Sequence, residues 1–399
     1  MLRLNKSKFT VYLLSVSHML NDWYMNFIQT LLPFLVLAGL PVSKGAFLVS
    51  AFTLTSSVIQ PFFGAFVDRK NQRWLVYVGT AWMAVLLGLL GVVKNYPLML
   101  VIVSLAGLGT AAFHPQASAM VSAASGSRKG FYQAMFIAWG NVGWALTPVI
   151  VSPLVYSFGL EITPFFMLPG ILVAVILLAA ARQASDPAGG RAPAAAQAGD
   201  APRAYGISGA AAVEIFKIMS VVMTRSMTYF GMVSFLPLYL QAMNYPVLLA
   251  SKLLFVMLFT GALGGIVGGY VSDLIGRKAV ICSSLLSATV FFYLFTQSGG
   301  AVGYVLLALA GASLMASFSV TVVAAQEILT GSAAMAAGLM LGFGIGMGGL
   351  GVGLMGLVAE KWGMERVIEI LVFLPAVAGI IGLSLKKKVA QKMPATGSK

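Results

Sequence analysis

Charged residues are scarce in this sequence. Only 9% of its 399 residues are Asp, Glu, Lys or Arg, and 59% are hydrophobic, whereas soluble domains contain about 25% charged residues. A chain with so few charges lacks the polar groups that a water-exposed surface requires. A membrane-spanning helix needs about 20 mostly apolar residues, so the composition predicts an integral membrane protein with room for about a dozen such helices.

Cysteine is nearly absent as well, because Cys282 is the only one in the chain. A single thiol excludes an internal disulfide and offers no zinc or redox motif. The sequence also lacks a Walker loop, a dinucleotide fingerprint, an HExxH motif and a GxSxG motif, so it gives no support to ATP-driven pumping or hydrolysis. We expect a protein that is not an enzyme and that uses no cofactor.

The apolar segments fall into two groups of six, separated by a polar interval. Residues 183–210 are rich in Ala, Pro and Gly, which is typical of a flexible connector. The sequence thus predicts an all-α membrane protein with a six-helix bundle in residues 1–182 and a second six-helix bundle, with a basic tail, in residues 211–399. The predicted spans are residues 10–39, 45–67, 74–93, 97–124, 130–158, 162–182, 212–243, 247–272, 279–297, 300–328, 332–359 and 366–385.

Positive charge is concentrated on one side of the predicted helices. The chain has a net charge of +14, and most of its Lys and Arg fall in the N-terminus, the loops after even-numbered spans, the connector and the C-terminal tail. The positive-inside rule places such segments in the cytoplasm. We expect a multi-pass protein of the bacterial inner membrane with both termini cytoplasmic, and the charge does not indicate a nucleic-acid partner.

Two loops in corresponding positions of the two halves are alike. The first is GAFVDRKNQR and the second is GYVSDLIGRK. A glycine near a helix end permits close approach of a neighbouring helix, and an aspartate there can accept hydrogen bonds from loop arginines. The pattern favours a gate over charges that only set topology. The gate residues are Gly64, Asp68, Arg69, Arg73, Gly269, Asp273, Arg277 and Lys278.

These loops resemble the signature that the major facilitator superfamily carries between helices 2 and 3 and again between helices 8 and 9. The first copy departs from it at Asn71 and Gln72, and the second departs at Leu274. Within the superfamily, SHMLND in the first span, GLGTAAFHPQASAMV in the fourth and YQAMFIAWGNVGWALTPVI in the fifth resemble the fosmidomycin resistance family of drug exporters. The FHP triplet from Phe113 to Pro115 is the most specific of these motifs.

The resemblance implies both a fold and a function. The fold is twelve helices in two pseudo-symmetric bundles that alternate between inward-open and outward-open states. The function is antiport driven by the proton gradient, which exports a small anionic phosphonate such as fosmidomycin or a related drug. Members of the superfamily usually act as monomers, so the expected partners are the substrate, protons and the lipid bilayer.

Polar residues in the first span fall on one face. At 100° per residue, His18, Asp22, Met25, Asn26 and Gln29 form a stripe about 100° wide, with Asn21 beside it. Helices 1, 4, 7 and 10 line the central cavity in the superfamily, so this stripe is expected to face water and substrate. We expect Asp22 to take the coupling proton, with His18 and His114 as further carriers. The alternative for His114 is a structural bond to a carbonyl freed by Pro115.

Arg225 lies in the seventh span at a depth similar to that of Asp22. A charge at mid-membrane costs at least about 2.5 to 3.5 kcal/mol, so it normally faces a cavity or a partner. We expect Arg225 to attract an anionic group across the cavity from Asp22, because guanidinium binds phosphonate and carboxylate through paired donors. A permanent ion pair between the two residues is the alternative. The other candidate substrate-binding residues are Asn21, Asn26, Tyr229, Gln133, Asn141 and Trp144.

Three other functions remain open at this stage. A proton symporter that imports an organic anion would use the same fold in the other direction. A metal or metallophore transporter would use His18, Asp22, Met25 and His114 as ligands, although methionine is also ordinary packing in apolar helices. A membrane receptor would bind a ligand without moving it, and the paired gate loops argue against that function.

Overall fold

The computed structural model describes residues 6–69, 72–126, 128–183, 209–329 and 339–386. Almost all of these residues are helical, no strand occurs among them, and the twelve predicted spans correspond to twelve helical rods. The rods are α1 (Lys6–Met25 and Phe27–Leu37), α2 (Val42–Val58 and Gln60–Arg69), α3 (Trp74–Gly88), α4 (Tyr96–Ala124), α5 (Lys129–Phe158), α6 (a 3-10 segment Leu160–Phe166 and Met167–Gln183), α7 (Gly209–Ala242), α8 (Val247–Ile275), α9 (Arg277–Gln297), α10 (Gly300–Ile328), α11 (a π-helical turn Leu339–Phe343 and Gly344–Trp362) and α12 (Met364–Leu383).

Some predicted features lie outside the described residues. They include most of the predicted connector, at residues 184–208, and residues 330–338, where the eleventh span was expected to begin. Lys70 and Asn71 of the first gate loop lie outside them too.

Successive helices alternate in direction, so their loops define two faces of the protein. The terminal face carries both described chain ends and the α2–α3 loop. The opposite face carries the α1–α2 loop at residues 38–41.

The helices α1 and α7 differ from the others in polarity. Within the described residues, eight helical stretches are long and apolar enough to span a membrane, and one of them, Gly344–Leu383, contains both α11 and α12. The apolar helix α3 is shorter. Neither α1 nor α7 is among the eight, and they carry His18, Asp22 and Arg225. Ionisable residues within a span normally face a cavity or a partner, so the functional site is expected between these two helices.

The two halves of the chain meet along α2 and α11, where small residues face glycines. Ser50 Oγ donates a hydrogen bond to the carbonyl oxygen of Gly349, 2.6 Å away, and a Cβ on Gly349 would lie 2.6 Å from Thr53 Cβ. Glycines at these positions therefore let the two backbones approach closely. This contact, called the α2–α11 seam below, pairs Ala46 with Gly356, Ser50 with Gly353, Thr53 with Gly349 and Ser57 with Gly346.

The α2–α11 seam closes the opposite face. From Ala46 to Ser57 it runs for about 16 Å along α2, which is roughly half of a hydrocarbon layer about 30 Å thick. The second segment of α1 packs on α7 and α5 packs on α8, which adds further contacts between the halves. Toward the terminal face, Phe62 is 73% exposed, and a Cβ on Gly64 would meet nothing within 4 Å. Along the described part of α2 the halves are thus open on the terminal side.

Candidate functional site

Asp22 lies between the two histidines of the chain. Its Oδ2 is 3.4 Å from Nε2 of His18, and its Oδ1 is 3.5 Å from Nε2 of His114. His18 and Asp22 share a face of α1 because they are four residues apart, and His114 reaches them from α4. Met25 completes the group, since its Sδ is 3.4 Å from Nε2 of His114. Residues His18, Asp22 and His114 are called the Asp22 cluster below.

The ring of His18 is held in one orientation by α5. Its Nδ1 is 2.7 Å from the carbonyl oxygen of Phe136, and the ring stacks on Phe136 with 4.0 Å between centroids. Because a carbonyl oxygen only accepts, Nδ1 donates its hydrogen, and Nε2 of a neutral ring presents a lone pair to Asp22. A lone pair that faces a carboxylate is repelled. One additional proton between His18 Nε2 and Asp22 Oδ2 turns this repulsion into a charge-assisted hydrogen bond.

Gly140 of α5 leaves the space that the Asp22 cluster occupies. A Cβ at this position would collide with Oδ2 of Asp22 and with the imidazole of His18. The cluster is still reached from outside, because the side chains of Asp22 and His114 are 17% and 21% exposed. Oδ1 of Asp22 has no hydrogen-bond partner among the described residues, so the site can accept a further donor.

Three predicted substrate-binding residues tie helices together in this conformation. Asn21 is fully buried and accepts a 2.8 Å hydrogen bond from Thr110 Oγ1 in α4. Asn26, at the break within α1, is fully buried and donates to the carbonyl oxygen of Trp144, 2.9 Å away. Gln133 of α5 donates to Ser118 Oγ of α4 at 2.7 Å. These bonds hold α1, α4 and α5 in register around the Asp22 cluster.

Arg225 of α7 is buried without a counter-ion among the described residues. Its side chain lies against α10, with the guanidinium carbon 4.7 Å from the ring centroid of Phe318, and its Nη2 is 3.5 Å from Ser226 Oγ. Within the described part of the chain, its Nε and Nη1 have no hydrogen-bond partner. The alternative of a permanent ion pair with Asp22 is therefore absent from this conformation. Because an unpaired buried guanidinium is costly, an anion of suitable size would be strongly stabilised here.

Tyr229 and Trp144 connect the two sides of the site. Their rings stack across the two halves, with 6.5 Å between centroids and 25° between planes. Tyr229 lies within electrostatic range of both Arg225 and Asp22. The stacked pair thus joins α5, which packs against the Asp22 cluster, to α7, which carries Arg225. Asn141, also on α5, is exposed.

The second gate loop forms an ionic cluster on the terminal face. Arg277 Nη1 donates to Asp273 Oδ1 at 2.5 Å and to Ser272 Oγ at 2.6 Å, and its Nε donates to Glu327 Oε1 at 3.3 Å. Arg277 therefore ties the ends of α8 and α10 to the start of α9. Lys278 follows it on α9. At Gly269 a Cβ would lie 3.2 Å from Ser319 Oγ of α10, so this glycine supports close packing of α8 on α10.

Only part of the first gate loop lies within the described residues. The side chains of Asp68 and Arg69 lie outside the described residues, and Arg73 is exposed. The backbone N–H of Gln72 donates to Oε1 of Gln116 at 3.0 Å. Gln116 is two residues after His114, so α4 links this loop to the Asp22 cluster. Glycine at position 64 is not in close contact here.

Several residues of this site had no specific sequence signal. The Phe136 carbonyl is a backbone group, and the role of Gly140 depends on how α5 packs on α1. Phe318 is one of many phenylalanines in apolar spans. Gln116, Phe136 and Gly140 lie inside the motifs quoted for the fourth and fifth spans, but those motifs gave none of them a role.

The Asp22 cluster also has the composition of a transition-metal site. Ligand atoms of His18, Asp22 and His114 all lie within 4.8 Å of one another. Two imidazoles and a carboxylate suit a metal such as zinc. A metal ion as transported cargo is therefore retained as an alternative.

Comparison with known proteins agrees with this architecture. The sequence profile of the Major Facilitator Superfamily matches residues 14–349. The chain is 31% identical to the fosmidomycin resistance protein of Escherichia coli strain K12, over 91% of this chain and 89% of that protein. It is 29% identical to YfnC, an uncharacterized MFS-type transporter of Bacillus subtilis strain 168, over 94% of this chain and 93% of that protein.

Solved structures share the fold. The nucleoside transporter NupG, solved as a mutant, superposes with a TM-score of 0.76 at 16% identity, covering 94% of this chain and 99% of that one. A bacterial homologue of the human lysosomal transporter Spinster, in an inward-facing and occupied conformation, superposes with a TM-score of 0.75 at 14% identity, covering 94% of this chain and 96% of that one. These likenesses support the twelve-helix, two-bundle fold.

Proposed function

The chain belongs to the Major Facilitator Superfamily and is a multi-pass membrane transporter, not an enzyme; from this premise we propose that it exports a small anionic compound in exchange for protons. The single observation that supports coupling of an anion to protons is the pairing of two unsatisfied sites. Arg225 in α7 has a buried guanidinium with no counter-ion among the described residues. In α1 and α4, the Asp22 cluster has a geometry that an additional proton would stabilise.

The charge of Arg225 supports an anion as substrate. Its Nε and Nη1 have no hydrogen-bond partner among the described residues, so the guanidinium still has N–H donors for the oxygens of a phosphonate or carboxylate. The Escherichia coli relative is named for resistance to fosmidomycin, which is a phosphonate. We therefore assign the substrate to this class, with Tyr229 and Trp144 as an aromatic wall beside it.

The proposed outward direction of transport rests on the name of the Escherichia coli relative, a resistance protein. A resistance protein lowers the concentration of a drug inside the cell, so it must move the drug outward. An inward proton gradient drives such export only if protons and substrate travel in opposite directions. With the termini in the cytoplasm, the present conformation is inward-open, and substrate reaches Arg225 from the cytoplasmic side. Outward opening then releases it as a proton arrives at the Asp22 cluster.

Proton symport that imports an anion is the second candidate, and electrostatics favours it. An anion bound at Arg225 would be repelled by a charged Asp22 carboxylate and less so by a protonated one. That effect makes proton and substrate bind together, whereas exchange requires that each exclude the other. The sign of the proton change on substrate binding therefore separates the two functions.

The first test is substrate-driven proton movement in liposomes that contain the purified protein. Under an imposed pH gradient, fosmidomycin should cause proton flux with wild type. Asp22→Asn should abolish the flux, because an amide takes up no proton, whereas Glu161→Gln, which removes an exposed carboxylate of α6, should leave it intact. Flux that persists in Asp22→Asn would move the coupling site to His114. No response to any anionic phosphonate would overturn the substrate class.

The second test measures proton binding directly. In weakly buffered detergent solution, fosmidomycin should release protons from the purified wild-type protein if it is an exchanger. Proton uptake of similar size would establish symport instead. In Asp22→Asn the change should vanish in either case.

A metal as cargo is tested in the same liposomes. Zinc accumulation that is lost in both Asp22→Asn and His114→Ala, and that is unaffected in Arg225→Met, would replace the anion proposal. Fosmidomycin flux without zinc accumulation would exclude zinc as the cargo.

A further inference from the structure

An apolar groove lies beside the α2–α11 seam on the outer surface of the protein. It has a volume of about 610 Å³ and is bounded by three helices, α2, α4 and α11. Both hydroxyl groups in its wall bond to carbonyl oxygens, that of Ser50 to Gly349 and that of Tyr96 to Lys44. The other principal lining residues are Phe47, Leu54, Leu100, Leu350 and Leu354.

The groove opens toward the lipid. Leu350 and Leu354 are 40% and 56% exposed in the isolated chain, and they lie on a membrane-spanning helix. In the bilayer such surfaces contact acyl chains. The groove lies in the half of the membrane next to the opposite face, because Phe47 is near the start of α2, Tyr96 begins α4 and Leu354 is in the second half of α11.

A positive charge lies at the mouth of the groove. Lys44 Nζ is 5.2 Å from the ring centroid of Tyr96, and Tyr96 Oη donates to the carbonyl oxygen of Lys44 at 3.2 Å. Lys44 is exposed and forms no ion pair with a described carboxylate. Tyrosine and lysine at a helix end are typical of the level of lipid head groups. The ammonium group is therefore placed where a lipid phosphate would lie.

We propose that this groove binds an anionic phospholipid, with an acyl chain along α2, α4 and α11 and the phosphate at Lys44. The groove has walls from both halves of the chain, so it exists only while the α2–α11 seam is closed. A lipid in it stabilises the conformation that is closed on the opposite face. Lipid composition thus sets the conformational equilibrium, whatever substrate the transporter carries.

The test is lipid binding to the delipidated, purified full chain, measured by native mass spectrometry. Phosphatidylglycerol should bind more tightly than phosphatidylcholine, and Lys44→Ala should weaken phosphatidylglycerol binding about fivefold, the effect of one basic residue at an anionic lipid surface. Lys252→Ala is the matched control, because Lys252 is an exposed lysine near the start of α8 and does not border the groove. Its binding should equal that of wild type.

A second variant tests the apolar part of the groove. Ala51→Phe places a ring in the groove, which Ala51 lines. It should weaken the binding of both lipids and leave the preference for phosphatidylglycerol over phosphatidylcholine unchanged. The proposal is overturned if Lys44→Ala binds phosphatidylglycerol as tightly as wild type does. It is equally overturned if Lys252→Ala weakens this binding as much as Lys44→Ala does. It is also overturned if fosmidomycin or another drug, and not lipid, occupies the groove. Lys44 is exposed, so Lys44→Ala tests the proposal even if Ala51→Phe fails to fold.

Discussion

His18 in α1 donates its Nδ1 hydrogen to the carbonyl oxygen of Phe136 in α5, 2.7 Å away. The bond leaves the other ring nitrogen directed at Asp22, 3.4 Å away. Because α5 also packs on α8 of the other half, a proton that is gained or lost at the Asp22 cluster acts on a helix at the boundary between the halves. The geometry thus joins the proposed proton site to the surface that must move during transport.

Replacing His18 by two different amides separates its two roles. In His18→Asn the amide can donate to the Phe136 carbonyl, as Nδ1 does, but nothing faces Asp22. In His18→Gln the longer amide reaches toward Asp22 and does not titrate. We expect both variants to bind fosmidomycin and to lose substrate-driven proton flux. Because only His18→Asn keeps the hydrogen bond to the Phe136 carbonyl, it should hold α5 against α1 more firmly than His18→Gln does.

The measurement is binding, proton flux and thermal melting for both variants. A full proton flux in His18→Asn would remove His18 from the proton path. A lower melting temperature in His18→Gln than in His18→Asn would support the positioning role of the Phe136 bond.

Adding one methyl group at Gly140 should disable the site. The new Cβ would collide with Asp22 and with the His18 ring, and overpacking of this kind costs about 1 to 3 kcal/mol of stability. We expect Gly140→Ala to lower the melting temperature and to abolish proton flux. Gly209→Ala is the control, since Gly209 begins α7 and a Cβ there would meet nothing within 4 Å. Wild-type flux in Gly140→Ala would show that the cluster tolerates displacement and has no strict geometry.

Removing the guanidinium of Arg225 should weaken substrate binding. A hydrogen bond to a charged group contributes about 1.5 to 3 kcal/mol, so Arg225→Met should raise the Kd for fosmidomycin about 10- to 100-fold. Arg225→Lys keeps the charge but loses the planar guanidinium donors. Its Kd for fosmidomycin should therefore lie between those of wild type and Arg225→Met. Arg366→Met is the control, because Arg366 is an exposed residue paired with Glu369. Calorimetric titration measures all four proteins, and an unchanged Kd in Arg225→Met would contradict the anion site.

Locking the α2–α11 seam should stop transport. In a background of Cys282→Ala, the double variant Ser50→Cys with Gly353→Cys places two thiols together, because a Cβ on Gly353 would lie 2.6 Å from Ser50 Oγ. An oxidant should form a disulfide and abolish flux, and a reductant should restore it. The single-cysteine variants should respond to neither. Continued flux in the oxidised double variant would show that this seam does not open during the cycle.

Much of the fold and part of the site follow from sequence. Runs of apolar residues fix twelve helices because the bilayer demands them, and the 100° periodicity of α1 places His18 and Asp22 on one face. The approach of His114 from α4 depends on tertiary packing, for which the sequence offered only the family resemblance.

Other parts of the site leave no trace in side-chain patterns. A backbone carbonyl holds His18, and an absent Cβ at Gly140 makes room for it. The lack of a counter-ion beside Arg225 is a property of the assembled helices, so the sequence left an ion pair with Asp22 open. Similarly, Asn21 and Asn26 are polar residues on or beside the expected stripe, yet each bonds to a neighbouring helix, Asn21 to Thr110 and Asn26 to the Trp144 carbonyl.

The glycines of α11 have a consequence for the speed of the cycle. Gly and Ala lose no rotamer freedom when they are buried, so closing the α2–α11 seam orders only the short side chains of Ser50, Thr53 and Ser57. Opening it likewise frees few rotamers and exposes little apolar surface at each step. A contact with so little side-chain entropy at stake has a small entropic cost in either direction, which suits a surface that must separate and rejoin in every transport cycle.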